Sequence, residues 1–446
     1  MRKNRQGFTK LFSVAVVAAM GCGEEAATFT DAPTGSVDAA QTTPDAPAAG
    51  VVKVTVSRSN TAAVGMQVAF LNADDSVVAV AMTDADGVAS ATMLPGGSVT
   101  VVLPAIVGAR PINAEVYTFE GVKPGDQLVV GKRAPAATLV STEVLVPSLV
   151  RGTVVDVQTN CGSGSGTSGT TITFEARQPC TTTNVFVSAH SANGADLGQL
   201  YKANVAVTNN VLDVSGEAFR PAKAHTFTLS NIPAVVVDAD VSAFAFAGGL
   251  QMTASQTMGL SYNAPLGTTR AGDIVLPDVA ADLLATATIR RSNGALQQII
   301  DRAPLAALTV DVTAAQIPWF LSAPTYDAGG SQFAWTESAD GSAEAVVTNN
   351  SFTRPANGDV PAVTWRHQMV APHIPGRLRV PVLPPAMTAF NPLPTDTAVA
   401  LIGLIKVPGG YDSLRATAFV GDGPATTLPA QGRAVTSVFF PQRGVR

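Results

Sequence analysis

The chain carries little charge of either sign. Asp, Glu, Lys and Arg make up 14% of its 446 residues, and the net charge at pH 7 is −5. A protein that binds nucleic acid concentrates Lys and Arg on one face, where they meet the phosphates. Neither the amount nor the sign of the charge fits that class, so we expect no nucleic-acid partner.

Long apolar runs and long amphipathic runs are also scarce. After the N-terminus, no apolar stretch reaches the roughly 20 residues that a membrane-spanning helix needs. The sequence is instead rich in Thr, Val, Gly and Pro, with 39 Gly and 30 Pro. This composition is typical of all-β proteins, and the length suggests two to four domains.

The N-terminus has the features of a secretory signal peptide. Its apolar run, Leu11–Met20, is too short to span a membrane. The run follows four cationic residues, Arg2, Lys3, Arg5 and Lys10.

The end of this segment, Ala19-Met20-Gly21-Cys22, resembles the lipobox of bacterial lipoproteins, although that family usually has Leu at the position of Ala19. The resemblance implies cleavage before Cys22, with lipidation of its thiol and acylation of the new amino terminus. Such an anchor implies a location in the cell envelope of a Gram-negative bacterium, on the outer membrane or in the periplasm, with the membrane as a partner. The alternative is an ordinary cleaved signal peptide in which Cys22 is incidental.

The residues after Cys22 have the composition of a disordered tether. They are rich in Ala, Thr, Pro and Asp and have almost no large apolar side chains, so they cannot bury enough surface to offset the entropy of ordering. We therefore divide the chain into a signal peptide (1–21), a lipidated tether (22–50), a first β-sandwich (51–148), a second β-sandwich (149–271) and a third β-rich domain (272–446). The predicted fold is all-β, with tandem β-sandwich domains of Ig-like or jelly-roll type.

The clearest strands lie between residues 51 and 103. Val52, Val54 and Val56 alternate with polar residues, which predicts a strand with one buried face. Asp86-Gly87 separates two further apolar runs and predicts a tight turn. A calcium loop is the alternative for Asp84 and Asp86, but the further oxygen ligands are missing at the required spacing.

The order of these strands and turns, with Gly65-x-x-Val68-x-Phe70 before Thr83-Asp84-x-Asp86-Gly87, resembles a bacterial Ig-like or carboxypeptidase-regulatory-like module. The resemblance implies a small β-sandwich related in shape to transthyretin and usually without catalytic activity. These residues do not separate the two families.

Short apolar segments separated by turns continue from Leu149 to the C-terminus, which predicts further β structure. Leu296–Arg302 (LQQIIDR) is predicted as one short helix. Gly164–Gly169 formally fits G-x-G-x-x-G, but a dinucleotide site needs a helix after this motif, whereas Thr170–Glu175 looks like a strand, so we predict a flexible loop.

Cys161 and Cys180 form an even pair once Cys22 is assigned to lipidation. In an oxidising envelope this pair predicts a disulfide. The alternative, a metal site with two thiolate ligands, lacks nearby His residues.

The sequence contains no recognisable catalytic signature. The motifs H-E-x-x-H, G-x-S-x-G and S-x-x-K do not occur, so we assign no catalytic residue, no cofactor and no metal site. One alternative is a metal site at His367 and His373. Another is a glycosidase pair drawn from carboxylates such as Asp238, Asp240 and Asp340.

Aromatic residues are few but gather in the last third of the chain. Trp335 and Trp365 lie in segments of alternating hydrophobicity, which favours a place in the core. Stacking on a sugar ring is the alternative for these two residues. Trp319 and Tyr326 belong to the same group.

Taken together, the sequence indicates a non-enzymatic cell-envelope lipoprotein that displays β-sandwich domains for adhesion, scaffolding or ligand binding. Its expected partners are the membrane, through the lipid anchor, and an envelope polysaccharide or a protein. The alternatives are a carbohydrate-binding surface protein and a secreted hydrolase whose active site is not recognisable from motifs.

Overall fold

The computed structural model describes residues 48–104, 114–131, 138–150, 152–167, 171–260, 268–304, 309–314, 316–357, 362–420 and 432–441. Within these ranges the chain forms mostly strands joined by turns and loops, with one α-helix and one 3-10 helix. The predicted all-β fold is confirmed. The signal peptide, Cys22 and nearly all of the tether lie outside the described residues, so lipidation stays a prediction.

The first part of the chain forms a β-sandwich. One of its sheets contains β2, β1 and β5 with β8 beside β1, and the other is β4-β3-β6-β7. Val52 and Val54 face Phe70 and Val101 in a shared core, because alternate residues of a strand point to one face. The strands are β1 (Gly50–Arg58), β2 (Thr61–Ala62), β3 (Gln67–Leu71), β4 (Val77–Met82), β5 (Val88–Met93), β6 (Gly97–Pro104), β7 (Ala114–Val122) and β8 (Gln127–Val130).

The turn predicted at Asp86-Gly87 is present between β4 and β5. Asp84 Oδ1 accepts hydrogen bonds from the backbone N–H groups of Asp86 and Val88, each at 2.9 Å. Gly87 has a φ of +75°, and a Cβ atom there would lie 2.4 Å from the carbonyl oxygen of Val56. The position therefore requires glycine.

A second β-sandwich follows. Its two sheets are β11-β10-β13-β14 and β12-β9-β15, and they enclose a separate core that includes Val144, Val155, Val187 and Leu212. The strands are β9 (Leu139–Leu145), β10 (Val154–Thr159), β11 (Ser163–Thr167), β12 (Thr171–Arg177), β13 (Thr182–His190), β14 (Asp196–Ala206) and β15 (Val211–Asp213).

The predicted disulfide between Cys161 and Cys180 is confirmed. It joins two positions 19 residues apart whose Cα atoms are separated by 6.0 Å. The bond ties the β10–β11 connection to the segment that precedes β13, at one end of the second sandwich.

The glycine-rich segment predicted as a flexible loop is partly a strand, β11. It pairs with β10, and its glycines approach the facing sheet closely. A Cβ atom at Gly164 would lie 2.7 Å from Cβ of Phe174, and one at Gly166 would lie 2.8 Å from Cδ1 of Ile172. Alternating Gly and Ser therefore let this strand pack where a larger side chain would collide.

The remaining strands build most of one large sheet. Thirteen strands belong to it, in the order β18-β17-β20-β21-β30-β29-β25-β26-β7-β6-β3-β4, with β28 also paired to β25. Two smaller sheets, β19-β16-β22 and β23-β24-β27, accompany it. The strands are β16 (Lys223–Ser230), β17 (Val236–Ala247), β18 (Leu250–Leu260), β19 (Thr269–Leu276), β20 (Asp282–Arg291), β21 (Leu296–Pro304), β22 (Thr309–Asp311), β23 (Thr325–Asp327), β24 (Gln332–Ala334), β25 (Ala345–Arg354), β26 (Val363–Pro372), β27 (Arg377–Arg379), β28 (Thr397–Val399), β29 (Leu401–Lys406) and β30 (Gly432–Pro441).

The large sheet contains strands from all three predicted domains. β7 of the first sandwich pairs in parallel with β26, joining Ala114–Phe119 to Trp365–Val370. β17 and β18, from the segment assigned to the second sandwich, lie at the far end of the same sheet. The domain boundaries at 148 and 271 stay a prediction. Strands from all three predicted domains are nevertheless hydrogen-bonded within one sheet.

The inner strands of the large sheet carry buried side chains on both of their faces. Val68 and Phe70 of β3 face the β1-containing sheet, whereas Ala69 and Leu71 face the opposite core. That opposite core also contains side chains from the two smaller sheets, such as Phe227. The large sheet is therefore the middle layer of the molecule.

The segment Leu296–Arg302 is a strand, not the predicted helix. It forms most of β21, which is hydrogen-bonded to β20 on one side and to β30 on the other. Ile299 and Ile300 are both buried, because the sheet is covered on its two faces. Such a strand loses the polar–apolar alternation by which strands are recognised.

The only α-helix in the described ranges, α1 (Gly410–Thr417), packs against the first sandwich. It is far too short to cross a membrane, and no other helix of the described chain could do so. Its Arg415 is 2% exposed and donates to the carbonyl oxygen of Gly121 at 2.8 Å and to Asp126 Oδ2 at 2.9 Å. Asp412 Oδ1 lies 3.1 Å from the same guanidinium.

We expect Arg415→Ala to destabilise the protein by about 3 kcal/mol or more, because Asp126 and the Gly121 carbonyl lose their buried partner. Chemical unfolding of the full chain measures this effect. The matched control is Lys123→Ala, which removes an exposed pair with Asp412 and should cost about 1 kcal/mol or less. Equal losses in the two variants would contradict a special role for Arg415.

Removing the disulfide in Cys161→Ala/Cys180→Ala should lower the unfolding free energy by roughly 3 kcal/mol, because the cross-link restricts the unfolded chain. The reduced wild-type protein should unfold like the double variant, and the reductant should leave the double variant unchanged. Thiol labelling of the unreduced, denatured protein provides an independent check. Labelling of both Cys161 and Cys180 would show that the bond is not formed.

Candidate functional site

The two tryptophans considered for sugar stacking lie in the core. Trp365 is fully buried and stacks on Phe352, with ring centroids 5.3 Å apart and 20° between the ring planes. Trp335 is 6% exposed, and its indole Nε1 donates to Glu337 Oε2 at 2.8 Å. A sugar ring needs an exposed aromatic face, so the structure corrects this alternative and gives both residues a packing role.

An open cleft of about 290 Å³ lies in the same part of the chain. Its aromatic lining is Tyr326, from β23, and Phe333, from β24. The opposite wall comes from the loop before β28 and from β28 itself. The lining residues are Thr325, Tyr326, Ala328, Phe333, Leu393, Pro394, Asp396, Ala398 and Ala400. We call this feature the Tyr326 cleft.

Tyr326 is held in place by the aromatic layer behind it. Its ring lies 4.9 Å from that of Phe333 and 5.4 Å, edge-on, from that of Phe352. Phe352 in turn stacks on Trp365. Partial burial raises the pKa of Tyr326 to about 12, so its hydroxyl, a buried atom, stays neutral at physiological pH.

The opposite wall of the cleft is fixed by Arg354, at the end of β25. Its Nε and Nη2 atoms donate to the two carboxylate oxygens of Asp396 at 3.0 and 2.9 Å. The guanidinium also donates to the carbonyl oxygens of Ala389 and Asn391. Asp396 further accepts the backbone N–H of Leu393 at 2.8 Å. A bidentate pair of this kind holds the Pro-rich loop in one position.

His367 lies in a row of buried polar side chains inside the large sheet. Its Nε2 is 2.8 Å from Thr118 Oγ1, and Thr118 Oγ1 is 2.8 Å from Thr100 Oγ1. Asn350 is its register partner on β25 and donates to Thr348 Oγ1 at 3.0 Å. Complete burial lowers the pKa of His367 to about 3, so the imidazole is neutral at physiological pH.

His373 has different partners from His367. His373 directly follows β26, and its Nε2 lies 3.2 Å from Glu337 Oε1. The same Glu337 accepts the hydrogen bond from Trp335. The structure therefore does not bring His367 and His373 together as a metal site. No group of three or more His, Cys, Asp or Glu side chains is arranged to hold a metal ion within the described ranges.

Asp238 and Asp340, two of the carboxylates considered for a glycosidase pair, contact neighbouring arginines of β20 that point to opposite faces of the sheet. Arg290 lies 3.7 Å from Asp238, and Arg291 lies 3.9 Å from Asp340. Consecutive strand residues point to opposite faces, so Asp238 and Asp340 are on opposite sides of the sheet. Asp238 and Asp240 do share a face of β17. Burial, followed by the charge of Asp238, raises the pKa of Asp240.

A second group of ionisable residues links the first sandwich to the C-terminal half. Arg379 of β27 donates to Asp75 Oδ2 at 2.9 Å. Glu120, near the end of β7, is close enough to both residues for their charges to affect it. Burial is the dominant influence and raises the pKa of Glu120 to about 7, against the opposing effect of Arg379.

This raised pKa predicts a pH-dependent stability. A carboxyl group with a higher pKa in the folded state stabilises that state while it is protonated, and the contribution is lost as the pH rises through about 7. The unfolded value is 4.5, so the full effect is on the order of 3 kcal/mol. Glu120→Gln stays neutral, so we expect wild type to lose stability relative to Glu120→Gln between pH 5 and pH 8.

Thermal unfolding of both proteins across this pH range measures the difference. Glu175→Gln, which changes an exposed carboxylate on β12, is the matched control and should follow wild type. If the stability of Glu120→Gln changed with pH in the same way as that of wild type, the pKa of Glu120 would not be raised in the folded protein.

No protein-family model matches the chain, and no curated protein is significantly similar to it. Among solved structures, the Bacillus anthracis TIE protein aligns with 59% of this chain and 50% of its own length, at 9% identity and a TM-score of 0.14. The chain therefore aligns with only half of that protein.

Two further solved structures give similar values. BcpA, the major pilin subunit of Bacillus cereus, aligns with 59% of this chain and 98% of its own, at 10% identity and a TM-score of 0.14. SGBP-B of the Bacteroides ovatus mixed-linkage glucan utilization locus, in complex with a mixed-linkage heptasaccharide, aligns with 88% of this chain and 92% of its own, at 10% identity and a TM-score of 0.11. Scores this low assign neither a family nor a ligand to this chain.

Proposed function

We propose that this protein is a non-enzymatic cell-envelope lipoprotein that displays its β-sandwich domains for binding. We further propose that the Tyr326 cleft is its ligand site and that the ligand is an envelope polysaccharide. The observation that carries the proposal is the position of Tyr326, a partly buried aromatic ring that lines an open cleft and rests on a packed aromatic layer.

The N-terminal sequence supports the envelope location. The signal peptide and the lipobox-like end at Cys22 imply a lipid anchor, and the Ala/Thr/Pro/Asp-rich residues after it have the composition of a tether. A flexible chain of 28 residues, from 23 to 50, has an end-to-end distance of about 30 Å. The folded part would then reach material at some distance from the membrane to which it is attached.

The chemistry of the cleft suits a sugar ring. Aromatic side chains offer a large apolar surface on which a sugar ring can stack. Tyr326 and Leu393 supply apolar surface, while Thr325 supplies a hydroxyl beside it.

The wall opposite Tyr326 supports binding with little rearrangement. Arg354 fixes it through hydrogen bonds to Asp396 and to two backbone carbonyls. A site that is already ordered loses less conformational entropy when a ligand enters.

Tyr326→Ala should weaken polysaccharide binding about tenfold, because removal of the ring costs roughly 1.4 kcal/mol of contact with the ligand. Tyr326→Phe keeps the ring and should retain most of the affinity. Binding of the full chain in detergent to an array of bacterial envelope glycans provides the measurement. Thermal unfolding of each variant checks that the fold is retained.

The matched control is Tyr201→Ala, which removes a partly exposed Tyr from β14, a strand of the second sandwich. It should bind like wild type. Two results would contradict the proposal: no glycan retained by wild type, or equal retention by Tyr326→Ala and Tyr201→Ala. Turnover of a glycan, peptide or ester by the purified protein would contradict its non-enzymatic part.

A further inference from the structure

The strand β4 is an edge of the large sheet. It pairs with β3 on one side, and no strand of the described chain is hydrogen-bonded to its second side, although β5 follows it across the Asp86-Gly87 turn and lies close to it. All six of its residues, Val77–Met82, are apolar. A free edge presents unpaired backbone N–H and C=O groups, which a strand from another molecule can bond.

The register shows which backbone groups point outward. Thr83 N–H donates to the carbonyl oxygen of Met66 at 2.9 Å, next to the pair Met82–Gln67. In an antiparallel ladder, pairs that exchange hydrogen bonds alternate with pairs that do not. The backbone groups of Val80 and Met82 therefore point away from β3, toward the open edge.

Proteins usually protect such an edge with a charged residue, a proline or a bulge. β4 has no charged residue and no proline, and its single register shift lies near its start, where Val78 has no partner between the pairs Val77–Leu71 and Ala79–Phe70. The side chains of Val80 and Met82 are 42% and 56% exposed. An added strand could cover these side chains while it satisfied the backbone groups beside them.

The charges at the two ends of β4 restrict what can pair with it. Asp74 lies exposed before the strand, and Asp84 and Asp86 lie exposed after it. Asp75 is already paired with Arg379. A second copy of this chain, in either direction, would place Asp residues beside Asp residues, which is unfavourable. A strand with cationic residues at both ends would meet an opposite charge at each end.

We propose that β4 binds a partner protein by strand addition, and that the partner supplies an extended apolar segment with Lys or Arg at both ends. Backbone hydrogen bonds give the affinity, the exposed side chains of Val80 and Met82 contact alternate side chains of the partner, and the flanking Asp residues select its charge. The site is separate from the Tyr326 cleft.

The test uses the full chain in detergent and a labelled synthetic peptide of alternating Val and Thr with two Lys at each end. We expect saturable binding that weakens as salt increases. A peptide with Glu in place of Lys, and one with Pro at its centre, should each bind at least tenfold more weakly. Equal binding of all three peptides would overturn the proposal.

Variants of the protein locate the site. Val80→Pro removes an outward N–H, and Val80→Lys adds a charge that repels the peptide, so each should weaken binding at least tenfold. Val51→Lys makes the same change at a Val of β1 that is 56% exposed and should bind normally. Tyr326→Ala should also bind normally, which separates this result from the proposed function.

Thermal unfolding shows which Val80 variants keep the fold, and Val80→Lys decides the outcome if Val80→Pro does not. Unchanged binding by a folded Val80 variant would overturn the proposal. Sedimentation of the protein alone provides the final check. Self-association that is abolished by Val80→Lys would assign the edge to a second copy of the chain and would likewise overturn it.

Discussion

The structure depends on the burial of one large sheet on both of its faces. Alternate residues of its strands enter two different cores, as Phe70 and Leu71 of β3 show. Apolar burial contributes about 25 cal/mol per Å², and an inner strand of a sheet that is covered on both faces gains this contribution from side chains on each face. The parallel pairing of β7 with β26 makes the sheet continuous from the first sandwich to the C-terminal strands. The first sandwich therefore cannot move as a separate body without breaking the middle layer.

This continuity places the candidate site on a rigid base. β25 carries both Phe352, in the aromatic layer behind Tyr326, and Arg354, which holds the opposite wall. One central strand thus fixes both sides of the cleft. The edge at β4 lies at the end of the same sheet, where pairing stops.

The sequence allowed the local structure of the first sandwich to be predicted, because Val52, Val54 and Val56 alternate with polar residues on a strand with only one buried face. The disulfide could be predicted from the number of cysteines and the expected compartment. The pairing of β7 with β26 could not, since strands about 250 residues apart leave no local pattern. The helix predicted for Leu296–Arg302 is wrong because a strand buried on two faces loses its alternation. The sequence pattern does not distinguish Tyr326 from the nearby aromatic residues, and only the packing shows that Phe352 and Trp365 lie behind it.

The row of polar side chains through His367 has a consequence for how the sheet assembles. A slip of one residue between β26 and β7 would turn His367 to the opposite face and separate it from Thr118. His367 Nε2 would then lose its partner inside the sheet, which would cost about 1–3 kcal/mol. Strands made only of Val, Ile and Ala would tolerate several registers with nearly equal burial. The buried bond between His367 and Thr118 therefore favours one alignment of β26 with β7.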